Sequence, residues 1–169
     1  MLSRLEASAE RDGEQSCRCQ VESAERPDRE AMEELKRKID QFPQDAILHN
    51  DLGVLCYEAG EKEQALASYE RAVALNPNEP NYLKNLADFY MMEQGRSEEA
   101  MKLYLQVLSL NAEDVEALNA TGMICVSLGK LKDARYFYER VLEIQPWDEY
   151  ASKALNDLPE HNSSICAAG

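Results

Sequence analysis

The chain has 169 residues, 32 of them acidic and 18 basic, which gives a net charge of −14 and an isoelectric point near 4.6. That balance works against nucleic acid and anionic membranes as partners, since both are held by clustered Lys and Arg, and it favours a basic or polar peptide. No stretch stays apolar over the ~18 residues a helix needs to span a bilayer, and the N-terminus lacks the apolar core of a secretory signal, so a soluble cytoplasmic protein is expected.

Residues 1–28 are rich in Ser, Glu, Arg and Gln with few large apolar side chains. Ordering them would lose more entropy than burial returns, so a disordered acidic tail is expected. Over 29–45, Met32, Leu35, Ile39 and Phe42 keep the rhythm of one helical face and predict an amphipathic helix. Three copies of one pattern then follow, at 46–79, 80–114 and 115–148. The first carries Gly53, Ala65, Tyr69, Ala72 and Pro77; the third carries Gly122, Ala134, Tyr138, Val141 and Pro146, each 69 residues later. Between them stand Ala87, Ala100, Tyr104, Val107 and Ala112. A first helix is predicted from about Ile47, Asn81 or Glu116, and a second from near Glu63, Glu98 or Lys132.

Each mark has a physical reason. Gly53, Ala87 and Gly122 would sit where two helices cross, with Ala65, Ala100 and Ala134 opposite, because only small side chains let backbones approach. Gly60, Gly95 and Gly129 mark the turns, where positive φ is easiest for glycine. Pro77 and Pro146 stop a second helix, and Pro80 can open the next first helix. The pairs Val73 and Leu75, Leu108 and Leu110, and Leu142 and Ile144 are expected to pack the second helices inward. Ala31, Leu35 and Pro43 repeat the spacing of a second helix, so 29–45 reads as a half-repeat cap. Residues 149–158, with Tyr150, Ala154 and Leu155, read as a capping first helix, and 159–169 as a second disordered tail.

A period of 34 to 35 residues bearing these marks resembles the tetratricopeptide repeat. The resemblance implies an all-α fold, a right-handed superhelical solenoid of antiparallel helix pairs, with terminal helices covering its ends. It also implies binding rather than chemistry. In such arrays the first helices line the concave groove, and an i, i+3, i+4, i+7 stripe faces inward. Here that stripe is Ile47, Asn50, Asp51, Val54, Tyr57 and Glu58 in the first copy. Asn81, Lys84, Asn85, Asp88, Met91 and Met92 follow in the second. Glu116, Asn119, Ala120, Met123 and Ser127 belong to the third, and Tyr150 and Lys153 to the last helix.

Asn50, Asn85 and Asn119 recur at repeat spacing, and a carboxamide both donates to and accepts from a peptide backbone. They resemble the asparagine ladders of some tetratricopeptide arrays, although Asn50 and Asn119 fall one place before the rung of Asn85. Tolerance of asparagine on an exposed helix face explains the recurrence equally well. The carboxylate clamp that holds chaperone C-termini is not met. Lys84 and Asn85 are its only candidate members, Ala120 stands where the clamp needs a basic residue or asparagine, and Asp51, Asp88 and Glu116 would repel a carboxylate. Val54, Tyr57, Met91, Met92 and Met123 offer apolar spots, and flexible methionines suit varied anchors.

No catalytic constellation, cofactor motif or metal site is read. His49 and His161 lie far apart, and no Gly-x-Ser-x-Gly, phosphate loop or His-Glu-x-x-His is present. Cys56 and Cys125 hold equivalent places and read as small core residues. Cys17 and Cys19 lack the further ligands of a metal site, and Cys166 precedes a terminal glycine unlike the end of a prenylation signal. The leading reading is a non-enzymatic interaction module that holds an extended or helical peptide of a partner protein. A second is a small chaperone resembling type III secretion translocator chaperones. A third is a regulatory module of a larger enzyme such as a glycosyltransferase, against which the start methionine and two polar tails argue.

Overall fold

The computed structural model describes residues 26–159. The expectations for the rest of the two tails, and for Cys17, Cys19, His161 and Cys166, lie outside the described residues. Eight helices follow in order among those residues: α1 (Arg26–Gln41), α2 (Ala46–Glu58), α3 (Lys62–Leu75), α4 (Pro80–Gln94), α5 (Ser97–Leu110), α6 (Val115–Ser127), α7 (Leu131–Ile144) and α8 (Glu149–Asp157). Each packs mainly against its sequence neighbours, the contact pattern of a solenoid. The fold is the right-handed tetratricopeptide superhelix, with α2/α3, α4/α5 and α6/α7 as its helix pairs.

Local chemistry sets the ends. Asp45, Asp114 and Asp148 cap α2, α6 and α8, their carboxylates accepting from the N–H groups of Ile47, Ala117 and Ala151. Glu79 holds the equivalent place before α4 without a side-chain cap, and Pro80 opens that helix instead. The turn glycines Gly60, Gly95 and Gly129 take φ of 79°, 61° and 70°, a region that costs other residues strain.

At the crossings, a Cβ on Gly53 would lie 2.6 Å from Tyr69 Cδ1, and one on Gly122 would lie 2.7 Å from Tyr138 Cε1. Each tyrosine ring therefore rests directly on helix backbone. Ala65, Ala100 and Ala134 are wholly buried opposite. The core forms three successive clusters, each joining one helix pair to a following first helix. Tyr69 packs with Leu52, Leu86 and Phe89; Tyr104 with Leu83, Ala117 and Ile124; Tyr138 with Leu118, Cys125 and Ala151. Cys56 and Cys125 are free buried thiols, raised above the usual range chiefly by burial.

Three details differ from expectation. Helix α1 begins at Arg26, so residues 26–28 are helical rather than part of a tail. Phe42 lies past the end of α1 and is 60 % exposed, whereas Met32, Leu35 and Ile39 do pack inward. Leu110, the last residue of α5, is also exposed. Among the polar side chains, Thr121 is buried and donates to the Ala117 carbonyl at 2.7 Å, so its hydroxyl belongs to the core.

Candidate peptide-binding site

A cavity of about 210 Å³ opens between α2 and α4, the first helices of adjacent repeats. Val54 and Tyr57 come from α2, and Asn85, Asp88, Phe89 and Met92 from α4, with Tyr69 of α3 behind them. Five of these were expected from the stripe: Val54, Tyr57, Asn85, Asp88 and Met92. Phe89 and Tyr69 were not. Phe89 meets both tyrosines edge to face, at 5.9 Å from the Tyr57 ring and 6.1 Å from the Tyr69 ring. Burial pushes the Tyr69 hydroxyl up to about 12.

The polar groups around the cavity are not equally satisfied. Glu93 accepts from the Tyr57 hydroxyl at 3.0 Å and is paired with the Lys62 ammonium. The hydrogen bonds from Lys62 and Tyr57 hold its carboxyl below the usual range. Asp88 accepts from the Tyr104 hydroxyl and has no ion pair among the described residues. Burial raises its carboxyl above the ordinary range, with Glu116 adding to the rise and Tyr104 and Lys84 opposing it. Tyr104 is itself raised, first by burial and then by that bond.

The three asparagines do not make one row of free rungs. Asn85 Nδ2 donates to Asn50 Oδ1 at 2.7 Å, joining α4 to α2. Asn119 turns instead to Asp148, the cap of α8, at 3.4 Å, while its Oδ1 is buried without a partner. Both Asn85 and Asn119 are half-buried rather than solvent-facing, a correction to the ladder expectation. For Asn119 the cause is the stagger of neighbouring first helices, which brings the residue three before the small crossing position against the cap of the next first helix. Lys84 shows the same geometry, pairing with the α6 cap Asp114 at 3.5 Å and with Glu116 at 2.5 Å. Those pairs outweigh burial and keep its ammonium above the ordinary lysine range. A sequence signal for these partners existed, since Asp45, Glu79, Asp114 and Asp148 recur at the repeat spacing.

The remaining stripe residues lie apart from the cavity. Ile47, Asp51, Glu58, Asn81, Glu116, Ser127 and Lys153 are exposed, and Met91 is half-buried against the second core cluster. Met123 and Tyr150 are exposed farther along the same series of helices, with Tyr150 edge-on to Tyr138 at 6.1 Å. His49 is half-buried and donates from Nε2 to the Pro43 carbonyl at 3.1 Å. A second cavity of about 230 Å³ lies toward the second helices, bounded by Leu105, Tyr136 and Phe137 among others. Among the described residues no group of His, Cys, Asp and Glu is placed to hold a metal ion, and no helix is long and apolar enough to cross a membrane.

Stacked antiparallel helix pairs with small crossing residues, turn glycines and a cavity between successive first helices define a tetratricopeptide-repeat protein. The family model described as the cytochrome c-type biogenesis protein H TPR domain matches residues 3–151, and the chain belongs to that family. Over 75 residues it is 39 % identical to photosystem I assembly protein Ycf3 of Rippkaea orientalis, covering 40 % of this chain and 43 % of that protein. The chain thus spans less than half the length of the curated relatives it matches.

Among solved structures, a tetratricopeptide repeat protein from Parabacteroides merdae is 27 % identical, with a TM-score of 0.72 over 75 % of this chain and 50 % of that one. The second such domain of human RPAP3, in complex with the HSP70 peptide SGPTIEEVD, is 28 % identical. Its TM-score is 0.60 over 67 % of this chain and 93 % of that one. Proteins of this family and fold are generally non-enzymatic interaction scaffolds, some of them peptide-binding.

Proposed function

We propose that the chain is a non-catalytic adaptor that holds a peptide segment of a partner protein against the face formed by α2, α4, α6 and α8. The observation that carries this reading is the cavity between α2 and α4. Two repeats build it jointly, it mixes aromatic and aliphatic walls with Asn85 and Asp88, and it is sized for a side chain rather than a cofactor. The exposed Met123 and Tyr150 supply further apolar contacts beyond it.

The peptide is basic or polar with apolar anchors. RPAP3 domains hold peptides ending in EEVD, but in this chain Lys84 is already neutralised by Asp114 and Glu116. Asp51, Asp88 and Glu116 would repel an acidic terminus. The net charge of −14 likewise supports a protein partner over nucleic acid or anionic lipid.

The test is selection of displayed random peptides on the full chain, followed by photo-crosslinking. Crosslinks to Val54, Met92 and Met123, from peptides without acidic termini, are expected. Crosslinks confined to α3, α5 and α7 would overturn the reading. A second reading, a dedicated assembly chaperone, draws support from the relatives whose names concern photosystem assembly and cytochrome c-type biogenesis. Co-purification from native lysate with an unassembled subunit, rather than a finished complex, would favour it.

A further inference from the structure

Beside the cavity between α2 and α4, three carboxylates are held by two lysines. Glu93 holds Lys62, and Asp114 and Glu116 share Lys84. Asp88 lies in the cavity wall, half-buried, with only the Tyr104 hydroxyl on its Oδ1 among the described residues. Removing a carboxylate from water without a counter-charge is unfavourable, so this one is poised for a cation. Its elevated proton affinity, caused first by burial, records the same deficit.

The rest of the wall selects the kind of cation. Val54, Met92, Tyr57 and Phe89 are apolar surfaces suited to a straight aliphatic stem, and aromatic rings also attract a cation near their faces. Asn85 donates its amide hydrogen to Asn50, which fixes the carboxamide and leaves its Oδ1 as an acceptor beside Asp88. A guanidinium fork takes a carboxylate best through both oxygens, and Tyr104 already occupies one of them. An ammonium is a compact point charge with three donors and does not need the fork.

We infer that this cavity is a specificity pocket for a lysine side chain of the bound peptide, its stem among Val54, Tyr57, Phe89 and Met92 and its ammonium at Asp88 and Asn85. The inference rests on the peptide-binding reading above and adds the residue type the pocket selects.

Nuclear magnetic resonance titration of the full chain tests it, with N-acetyl-lysine N-methylamide and its norleucine and arginine counterparts as probes. Norleucine keeps the stem and removes the charge. The lysine probe should shift the methyl signals of Val54 and Met92 and the side-chain amide of Asn85. It should bind at least tenfold more tightly than norleucine and several-fold more tightly than arginine. Asp88→Asn should abolish the preference for lysine over norleucine while its amide oxygen still accepts from Tyr104, and backbone amide signals unchanged away from the cavity would certify its fold. Equal binding of norleucine or arginine, lysine shifts elsewhere on the surface, or a preference that survives Asp88→Asn would each overturn the assignment. Failure here with selected peptides still crosslinking to the first helices would remove the lysine pocket alone; crosslinks elsewhere would remove the binding face itself.

Discussion

The first and third repeats differ from the middle one at two neighbouring positions, one that sets the packing and one that sets the polarity of the cavity wall. In the outer repeats a glycine lets the tyrosine ring rest on backbone, and the next residue is apolar, Val54 or Met123. In the middle repeat Ala87 replaces the glycine and Asp88 follows it. Tyr104 is fully buried there, and its hydroxyl reaches the Asp88 carboxylate. The same crossing is thus built twice with the ring on a glycine and once with the hydroxyl linked to a carboxylate. That link places the one unpaired acid of the cavity on the face where a peptide would lie.

The largest effect should come from closing the glycine crossing. Gly122→Leu is expected to lower unfolding free energy by about 3 kcal/mol through overpacking against Tyr138, with Gly53→Leu behaving alike. Chemical denaturation reads it, and an unchanged midpoint would show that the ring does not sit on that backbone. The comparison sharpens with smaller changes. Gly122→Ala should already destabilise, because its Cβ would meet the ring at 2.7 Å, while Ala87→Gly should lose only about 0.5–1 kcal/mol from helix propensity. Because neighbouring repeats stack, each loss should spread along the array.

Next in size is the polar link. Tyr104→Phe removes a hydrogen bond to a charged group and should lower stability by about 1–2 kcal/mol. Tyr69→Phe serves as its counterpart, since no hydrogen bond of the Tyr69 hydroxyl occurs among the described residues, and it should change stability by less than about 0.5 kcal/mol. Equal effects at the two sites would remove the distinction between the repeats.

The crossing residues were legible in the sequence because they serve contacts within one repeat, where spacing alone decides what meets. Gly53, Tyr69, Gly122 and Tyr138 fell into place for that reason. Contacts between repeats were less legible. Which side chain of α4 meets which of α2 or α6 depends on the stagger of packed helices, which a single helical period does not encode. Asn85 was therefore read as a free rung although it bonds Asn50, and Lys84 as a groove cation although Asp114 and Glu116 hold it. Phe89 escaped notice because it occupies a buried core position of its own helix, outside the inward stripe, yet also lines the cavity.

That inter-repeat contact gives a smaller expected effect. Asn85→Ala leaves Asn50 Oδ1 without its donor and should lower stability by about 0.5–1.5 kcal/mol. Adding Asn50→Ala should change little more, so the double-mutant cycle should show coupling of comparable size. Additive losses would mean that the two carboxamides act independently. For peptide binding, exposed positions of α3 such as Glu63→Ala with Arg71→Ala make a better control than Glu70, which accepts from the Tyr90 hydroxyl at 3.0 Å.

The smallest effect isolates the burial of Asp88 through pH. Its folded carboxyl titrates above the ordinary value of 3.8, with burial as the leading cause. Between those two values the folded state binds more protons than the unfolded chain, so stability declines as pH rises through that window. Below the window the carboxyl is neutral in both states and the burden is absent; above it the full penalty of a buried charge remains. Asparagine at this position never ionises. The stability of Asp88→Asn relative to the natural chain should therefore increase as pH rises through the window and then level off. Val54→Ala, at the equivalent position of the first repeat, should show a pH-independent difference. Thermal melts from below pH 3.8 to neutrality measure both. A relative stability of Asp88→Asn that stays flat or falls with pH would show that solvent already satisfies the carboxylate, and the middle repeat would lose its electrostatic distinction from the other two.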